Sequence, residues 1–101
     1  MADSVFYDNE WVANIYRARP IHPGELLKDE LHERGVSLNG LARALRVPMN
    51  RMSAIVSGKR SITADTALRL ARYFGTSAQM WMNMQTAYDL EVAERAGSFP
   101  V

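Results

Sequence analysis

The sequence predicts an all-α protein built from five short helices, and three observations support this prediction. Apolar residues recur three and four positions apart, as they do on one face of an α-helix. Capping residues and glycines separate these stretches at the places where helices would begin and end. The period-two alternation of a half-buried strand does not occur in the sequence. A chain of 101 residues without cysteine also predicts one domain with one modest core and no thiolate metal site.

The first two helices are marked by a proline, a glycine and a serine. Pro23 is a favoured first helical residue, and Gly35 is a favoured stop for the helix that follows it. Ser37 is a good N-cap for the second helix. The residues predicted to be buried, which follow helical spacing, are Leu26, Leu27 and Leu31 in the first helix and Leu38, Leu41, Ala42 and Leu45 in the second.

Three further helices follow a break at Val47-Pro48. Pro48 disfavours helix at the residue before it and is a good first residue for a third helix that extends to about Val56. Thr63 and Ser77 are predicted caps of the fourth and fifth helices, and Gly75 is the predicted stop between them. The predicted buried residues are Met52, Ile55 and Val56 in the third helix, Ala67, Leu68, Ala71 and Phe74 in the fourth, and Met80, Trp81, Met84, Tyr88 and Val92 in the fifth.

Positive charge is concentrated in one part of the chain. The formal net charge is only +1, but residues 48–75 carry five basic residues against one acidic residue, a local net charge of +4. A local excess of this kind favours binding to phosphate groups. The N-terminus lacks the pattern of a signal peptide, and no apolar run approaches the roughly 20 residues that span a bilayer. We therefore expect a soluble, cytoplasmic protein that does not associate with membranes.

Residues 37–60 have the pattern of a helix-turn-helix. The small Ala42 permits close approach of two short helices, Val47 can anchor the turn, and the third helix can then enter a major groove about 12 Å wide. The predicted base-reading residues are Met49, Asn50, Arg51, Ser53 and Ala54. The predicted phosphate-binding residues are Ser37, Leu38, Asn39, Arg43, Lys59 and Arg60. A pair of helices that only pack in a bundle is the competing interpretation.

Several stretches resemble a known family. The stretch from Ser37 to Val47 resembles the opening of the Cro/C1-type (XRE) repressor fold, a lambda-repressor-like DNA-binding domain. More narrowly, residues 22–27, 57–71, 81–85 and 88–90 are similar to the HigA family of antitoxins. This resemblance implies a homodimer that binds an inverted repeat in double-stranded DNA at its own promoter. It also implies that the protein neutralises HigB, a toxin that cleaves mRNA.

The sequence departs from the family pattern at two positions. Arg46 stands where the family usually has glycine in the turn, and a positive φ at this residue would cost about 1 kcal/mol. Ser57 replaces the usual asparagine before Gly58, which would remove a polar contact near the backbone. The role of residues 1–20, in which the spacing of Tyr7, Trp11 and Ile15 permits a short amphipathic helix, is left open by the sequence.

No residue pattern predicts catalysis. His32-Glu33 resembles the start of a zinc-protease motif, but Val36 occupies the position of the second histidine ligand. His22 is interpreted as a helix-entry residue that hydrogen-bonds Glu25, because no nucleophile accompanies it. We therefore predict a protein that is not an enzyme and that binds neither a metal nor a cofactor.

Specific DNA binding by one short recognition helix usually requires a second copy, because half-sites lie about 34–36 Å apart on one face of the duplex. We predict a symmetric dimer formed through the fifth helix, with Met80, Trp81, Met84 and Tyr88 as contacts. The predicted organisation is an extension (1–20), a DNA-binding unit (21–76) and a dimerising helix with its tail (77–101). Two alternatives remain: a stand-alone XRE regulator without a toxin, and a helical protein-binding module whose interaction surface is the extension.

Overall fold

The computed structural model describes residues 19–97, and within this range it contains five helices and no strand. The helices are α1 (Pro23–Arg34), α2 (Leu38–Leu45), α3 (Met49–Val56), α4 (Ala64–Phe74) and α5 (Ala78–Ala96). The all-α, five-helix prediction is therefore confirmed. The expectations for Tyr7, Trp11 and Ile15, and for the tail beyond Gly97, fall outside the described residues. None of the five helices has the length and apolarity needed to cross a membrane.

The helix starts follow the predicted caps. The hydroxyl oxygens of Ser37, Thr63 and Ser77 each accept a hydrogen bond from a backbone N–H three residues later, at 3.0, 3.4 and 3.1 Å. Each cap therefore satisfies one of the N–H groups that a helix start leaves without an intrahelical partner. Pro48 is itself the N-cap of α3, with φ −56° and ψ 141°, so this helix begins one residue later than predicted.

Left-handed residues end three of the helices. Gly35 and Gly75 have φ values of 67° and 70° and terminate α1 and α4, as predicted. Arg46 ends α2 with φ 57°, and it is the one non-glycine residue with positive φ among residues 19–97. The departure from glycine at this position therefore places a bulky residue in a conformation that glycine adopts without steric cost.

One hydrophobic core joins the helices, with α5 packed against α4 and α1, and α3 packed against α1 and α2. Leu27, Leu41, Met52 and Ile55 are fully buried, as predicted. The predicted stripe of α4 was wrong at one position, because Leu68 is 62% exposed and Leu70 is fully buried. The prediction for α1 was also too broad, since Leu26 lies at the surface, 36% exposed.

Trp81 is a core residue of α5. Its side chain is 1% exposed, and its indole N–H donates to the Thr76 hydroxyl oxygen at 2.9 Å. The prediction that Trp81 contributes to a dimer contact was wrong, because a side chain enclosed by its own chain has no surface to offer a second copy. The same helix buries Gln85, a polar residue that periodicity did not single out.

Candidate nucleic-acid interface

The turn between α2 and α3 is closed by hydrogen bonds between neighbouring residues. The N–H of left-handed Arg46 donates to the Arg43 carbonyl at 3.2 Å, and the N–H of Val47 donates to the Ala42 carbonyl at 3.0 Å. The Val47 side chain is buried. Val47 therefore anchors the turn in the core, as predicted, whereas the backbone of Arg46 costs about 1–2 kcal/mol relative to a right-handed conformation.

The orientation of α3 follows from this turn and from its buried face. The Pro48 carbonyl accepts hydrogen bonds from the N–H groups of Arg51 and Met52, at 3.1 and 3.2 Å, which starts the helix. Met52 and Ile55 are fully buried three residues apart, so they define the face that points into the core. The opposite face of α3 therefore points outward.

Of the predicted base-reading residues other than Arg51, three are exposed to solvent and one is half-buried. Asn50 and Ser53 are exposed, and Met49 is 40% exposed. Ala54 is half-buried, because the loop that follows α3 folds back over it.

Arg51 differs from the expectation that it points freely into solvent. Its side chain is 33% exposed, and its Nη1 lies 3.9 Å from Asp65 Oδ2 on α4. Its Nε is buried and has no hydrogen-bond partner among the described residues. One edge of the guanidinium is thus turned toward the protein.

Asp65 also binds Arg69, which reaches back to the turn. The Arg69 Nε donates to Asp65 Oδ2 at 3.0 Å, and its Nη1 donates to the carbonyl of Leu45, the last residue of α2, at 2.8 Å. Sequence reasoning did not single out Asp65 or Arg69. The available signal was their spacing of four residues, which allows an ion pair along a helix.

The loop that leaves α3 is folded back on the helix and fixed by α5. The Ala54 carbonyl accepts hydrogen bonds from the N–H groups of Lys59 and Arg60, at 2.9 and 3.2 Å. At the other end of the loop, the buried N–H of Ile62 donates to Gln85 Oε1 at 2.8 Å. The Gln85 amide in turn donates to Asp89 Oδ1 at 2.9 Å. The side chains of Lys59 and Arg60 are left exposed beside the end of α3.

The Ser57 hydroxyl also belongs to this fold-back, since it donates to the Ala54 carbonyl at 3.1 Å. At the position where the resemblance led us to expect the loss of a polar contact, serine therefore makes one of its own.

His22 holds the start of α1 close to the same loop. Its Nδ1 accepts a hydrogen bond from the Gly24 N–H at 2.9 Å, and its ring meets the Tyr88 ring edge-on, with centroids 4.9 Å apart. The predicted hydrogen bond between His22 and Glu25 is present through the backbone, where the Glu25 N–H donates to the His22 carbonyl at 2.9 Å. The Glu25 carboxylate instead pairs with Arg19 at 2.7 and 2.8 Å. Burial lowers the pKa of His22, against the opposing effects of a hydrogen bond to the Arg60 backbone and of nearby carboxylates.

The predicted phosphate-binding groups lie at both ends of the α2–α3 unit. Asn39 and Arg43 are exposed on α2. The Leu38 side chain packs on the core, so only its backbone N–H is suited to meet an anion. Ser37 caps the N–H of Gly40, and the amides at the first positions of α2 have no intrahelical acceptor. A helix start with free amides is a favourable place for phosphate.

Comparison with known proteins places this geometry in a family. A model described as a helix-turn-helix domain matches residues 24–80. Virulence-associated protein I of Dichelobacter nodosus is 59% identical over 76 residues, which cover 74% of this chain and 70% of that protein. A solved addiction module antidote protein of the HigA family from Coxiella burnetii is 48% identical, with a TM-score of 0.74, covering 82% of this chain and 99% of that one.

A third comparison is with Pseudomonas aeruginosa antitoxin HigA, solved with the higBA promoter. It is 54% identical, with a TM-score of 0.75, and the match covers 77% of this chain and 86% of that one. The chain belongs to the helix-turn-helix family as a HigA-type member. The resemblance predicted from its sequence motifs is thereby confirmed.

In this HigA-type chain, the surface of α5 differs from the predicted dimer contact. Met80 and Met84 are half-buried and pack against the core. Tyr88 is half-buried against His22. The large apolar side chains that α5 exposes are Leu90, at 62%, and Val92, at 39%. Val92 was predicted to lie on the buried stripe, and that prediction was wrong.

Proposed function

We propose that this HigA-type chain is a sequence-specific DNA-binding repressor and the antitoxin of a toxin–antitoxin module. It binds an inverted repeat at its own promoter as a homodimer, and it neutralises a HigB-type toxin that cleaves mRNA. The observation that carries the proposal is the outward face of α3, where Asn50 and Ser53 are exposed between basic groups on either side. The solved P. aeruginosa relative, whose structure includes promoter DNA, supports the same interpretation.

Base recognition falls to the exposed half of α3. The Asn50 side-chain amide offers a donor and an acceptor, which match the N7 and N6 groups of adenine in the major groove. Met49 supplies an apolar contact for a thymine methyl group, and Ser53 can donate or accept. Recognition is thus achieved by hydrogen bonds and contacts alone, and it requires no catalytic group.

Phosphate contacts fix the position of α3 in the groove. Lys59 and Arg60 lie beyond the end of α3, whereas Arg43 and the first amides of α2 lie before its start. Contacts on both sides of the recognition helix set its depth and register without reading sequence.

A second copy extends the recognised site. Two half-sites must lie about one helical turn of DNA apart, so two α3 helices have to be held at that spacing. The accessible parts of Met80, Met84 and Tyr88, together with exposed Val92, follow one stripe of α5 and give it an apolar surface suited to this contact.

Selection from a pool of random DNA duplexes tests the DNA-binding part of the proposal. We expect the wild-type chain to enrich an inverted repeat. Asn50→Ala should weaken binding to that repeat by about 1–3 kcal/mol and change binding to unrelated DNA little. Lys59→Ala is the matched control, since loss of a phosphate contact weakens all duplexes alike and reduces the slope of log K against log salt by about 1.

Failure to enrich any sequence would overturn the repressor function and favour the protein-binding module. An equal loss by Asn50→Ala on both kinds of DNA would instead assign Asn50 to positioning.

Co-expression tests the antitoxin part separately. The chain should rescue cells from the toxic product of an adjacent reading frame, and Asn50→Ala should still rescue them although it represses less strongly. If the neighbouring reading frames yield no toxin that the chain counteracts, the chain is a stand-alone regulator.

A further inference from the structure

Arg51 lies on the recognition helix α3, but its guanidinium group does not extend freely into solvent. Two of its three guanidinium nitrogens are turned toward the protein, with Nε buried and Nη1 3.9 Å from Asp65 Oδ2. An arginine on the same exposed turn without these constraints would place its whole fork in solvent. The guanidinium of Arg51 is therefore held in one orientation before any DNA arrives.

The contact with Asp65 contributes little to stability. The Asp65 side chain is 58% exposed, and the separation of 3.9 Å is at the long end for an ion pair. Exposed pairs of this kind are weakened by solvent screening, so the pair adds little to the stability of the fold, and it restrains the guanidinium together with the burial of Nε.

Asp65 is also the one acidic residue in a basic segment. Residues 48–75 contain five basic side chains and this single carboxylate. A carboxylate beside a DNA-binding helix repels phosphates, so it lowers affinity for every duplex regardless of sequence. A carboxylate that also fixes a base-reading arginine offsets this loss by raising discrimination between sequences.

The position of Asp65 is itself fixed. Arg69 donates to the same Oδ2 at 3.0 Å and, through Nη1, to the Leu45 carbonyl at 2.8 Å. This chain of contacts links Arg51 on α3 through α4 to the end of α2, beside the turn that orients α3. Asp65 therefore holds Arg51 from a point anchored to the frame of the helix-turn-helix.

From these contacts we propose that Asp65 is a specificity-determining positioning residue, which fixes the Arg51 guanidinium so that Nη2 and the outer edge of Nη1 face a guanine. The inference deepens the proposed function and rests on it. A guanidinium presented in this way makes a bidentate contact with the O6 and N7 of guanine, and an untethered one also accepts phosphates and other acceptors.

The test uses the full-length chain, the inverted repeat obtained by selection, and the set of repeats in which each base pair is changed in turn. We expect Asp65→Asn to reduce discrimination at one base pair of each half-site by about five- to tenfold. It should also bind unrelated DNA more tightly than the wild type does, because a negative charge is removed. Arg51→Ala should lose discrimination at the same base pair, and the double variant should lose no more than Arg51→Ala alone.

Two controls separate this role from a structural one. Asp29→Asn removes an exposed carboxylate on α1 and should leave the discrimination profile unchanged. Thr76→Val leaves the indole N–H of Trp81 without its acceptor and should lower the melting temperature, yet it should keep the preference for guanine at the Arg51 position. In the free protein, ¹⁵N relaxation of the Arg51 side chain should show a more mobile guanidinium in Asp65→Asn than in the wild type.

Each other outcome overturns the proposal. A uniform change on all duplexes, an intact preference at the Arg51 base pair, or an unchanged Arg51 mobility would each show that Asp65 does not position the arginine. Failure of the wild type to enrich a repeat is distinguishable from these results, and it removes the proposed function together with this inference.

Discussion

The turn that enters α3 is closed mainly by backbone hydrogen bonds between neighbouring residues, with one distant bond from Arg69 to the Leu45 carbonyl. The loop that leaves α3 also has local bonds to Ala54, but its far end is fixed by residues distant in the sequence. On the entry side, the N–H of Val47 binds the Ala42 carbonyl and Arg46 takes up a left-handed conformation. On the exit side, the Ile62 N–H is bound by Gln85, 23 positions away, and His22 lies against the backbone of Arg60. The two ends of one recognition helix are thus fixed by different means.

This difference shows where each part of the interface gets its stability. The backbone hydrogen bonds of the entry turn are local, so the turn can form together with the helices beside it, and the bond from Arg69 to Leu45 adds to them once α4 has packed. The exit loop begins with local bonds from Lys59 and Arg60 to Ala54, but its end at Ile62 is fixed only when α5 has packed. We expect substitutions that disturb the packing or remove the buried hydrogen bond on the exit side to have larger effects than those on the entry side.

The largest effect is expected from Gly24→Ala. A Cβ at this position would collide with the Ile55 carbonyl oxygen, so α1 could no longer approach the end of α3. The free energy of unfolding should fall by about 3 kcal/mol, as for severe overpacking, when measured by urea titration. Gly97→Ala, which adds a methyl group with no neighbour within 4 Å, should change it little. Equal effects at the two positions would contradict the close approach of α1 and α3.

Gln85→Leu should have the next largest effect. It keeps the volume of the side chain but leaves the buried Ile62 N–H without an acceptor, which costs about 2 kcal/mol. Hydrogen exchange at the Ile62 amide should become faster than at amides of the α2–α3 turn. Gln79→Leu, on the exposed face of the same helix, is the matched control. If the two variants behave alike, the exit loop does not depend on α5 for its position.

On the entry side, Arg46→Gly should stabilise the protein slightly. Glycine adopts the left-handed conformation without steric cost, but it also loses more backbone entropy on folding, so a net gain of about 0.5 kcal/mol is expected. Arg43→Gly, within the right-handed part of α2, should lower the free energy of unfolding by about 1 kcal/mol. Thermal melts of both variants and of the wild type measure these differences. A loss of stability in Arg46→Gly would show that the arginine side chain contributes more than its backbone costs.

The smallest effect is a dependence on pH through His22. Burial lowers the pKa of His22, so the unfolded chain takes up a proton at a higher pH than the folded one does. The stability contributed by neutral His22 is therefore complete above the ordinary histidine pKa of 6.5 and is lost as the pH falls through the lowered value. Protonation of Nδ1 would also end its bond to the Gly24 N–H.

His22→Asn isolates this contribution, because asparagine can still cap the helix but does not titrate. The advantage in stability of the wild type over His22→Asn should shrink as the pH is lowered from 7.5 to 5. Parallel stability curves for the two proteins would rule out a contribution from His22.

Features of the structure that depend on neighbouring residues could be predicted from the sequence. The caps at Ser37, Thr63 and Ser77 and the stops at Gly35 and Gly75 depend on neighbouring residues, and their signals are visible in the sequence. These local signals were sufficient for the five helices and for the outward face of α3.

Residues that depend on contacts between helices were not predictable in this way. Leu68 and Leu70 are both apolar, and only the packing of α4 decides that Leu70 is the buried one. The orientation of Arg51 depends on Asp65, a residue on the next helix, and the burial of Gln85 depends on an N–H in a distant loop. Periodicity contains no information about such partners.

The shortness of α3 limits how much of a genome a single chain can tell apart. Eight helical residues extend about 12 Å, which corresponds to three or four base pairs along the duplex. A DNA sequence of three or four base pairs occurs very often among the millions of competing sites in a chromosome. A rare target therefore requires two such short sequences at a fixed interval. An insertion of half a helical turn between the two should abolish recognition, although every base contact would still be available.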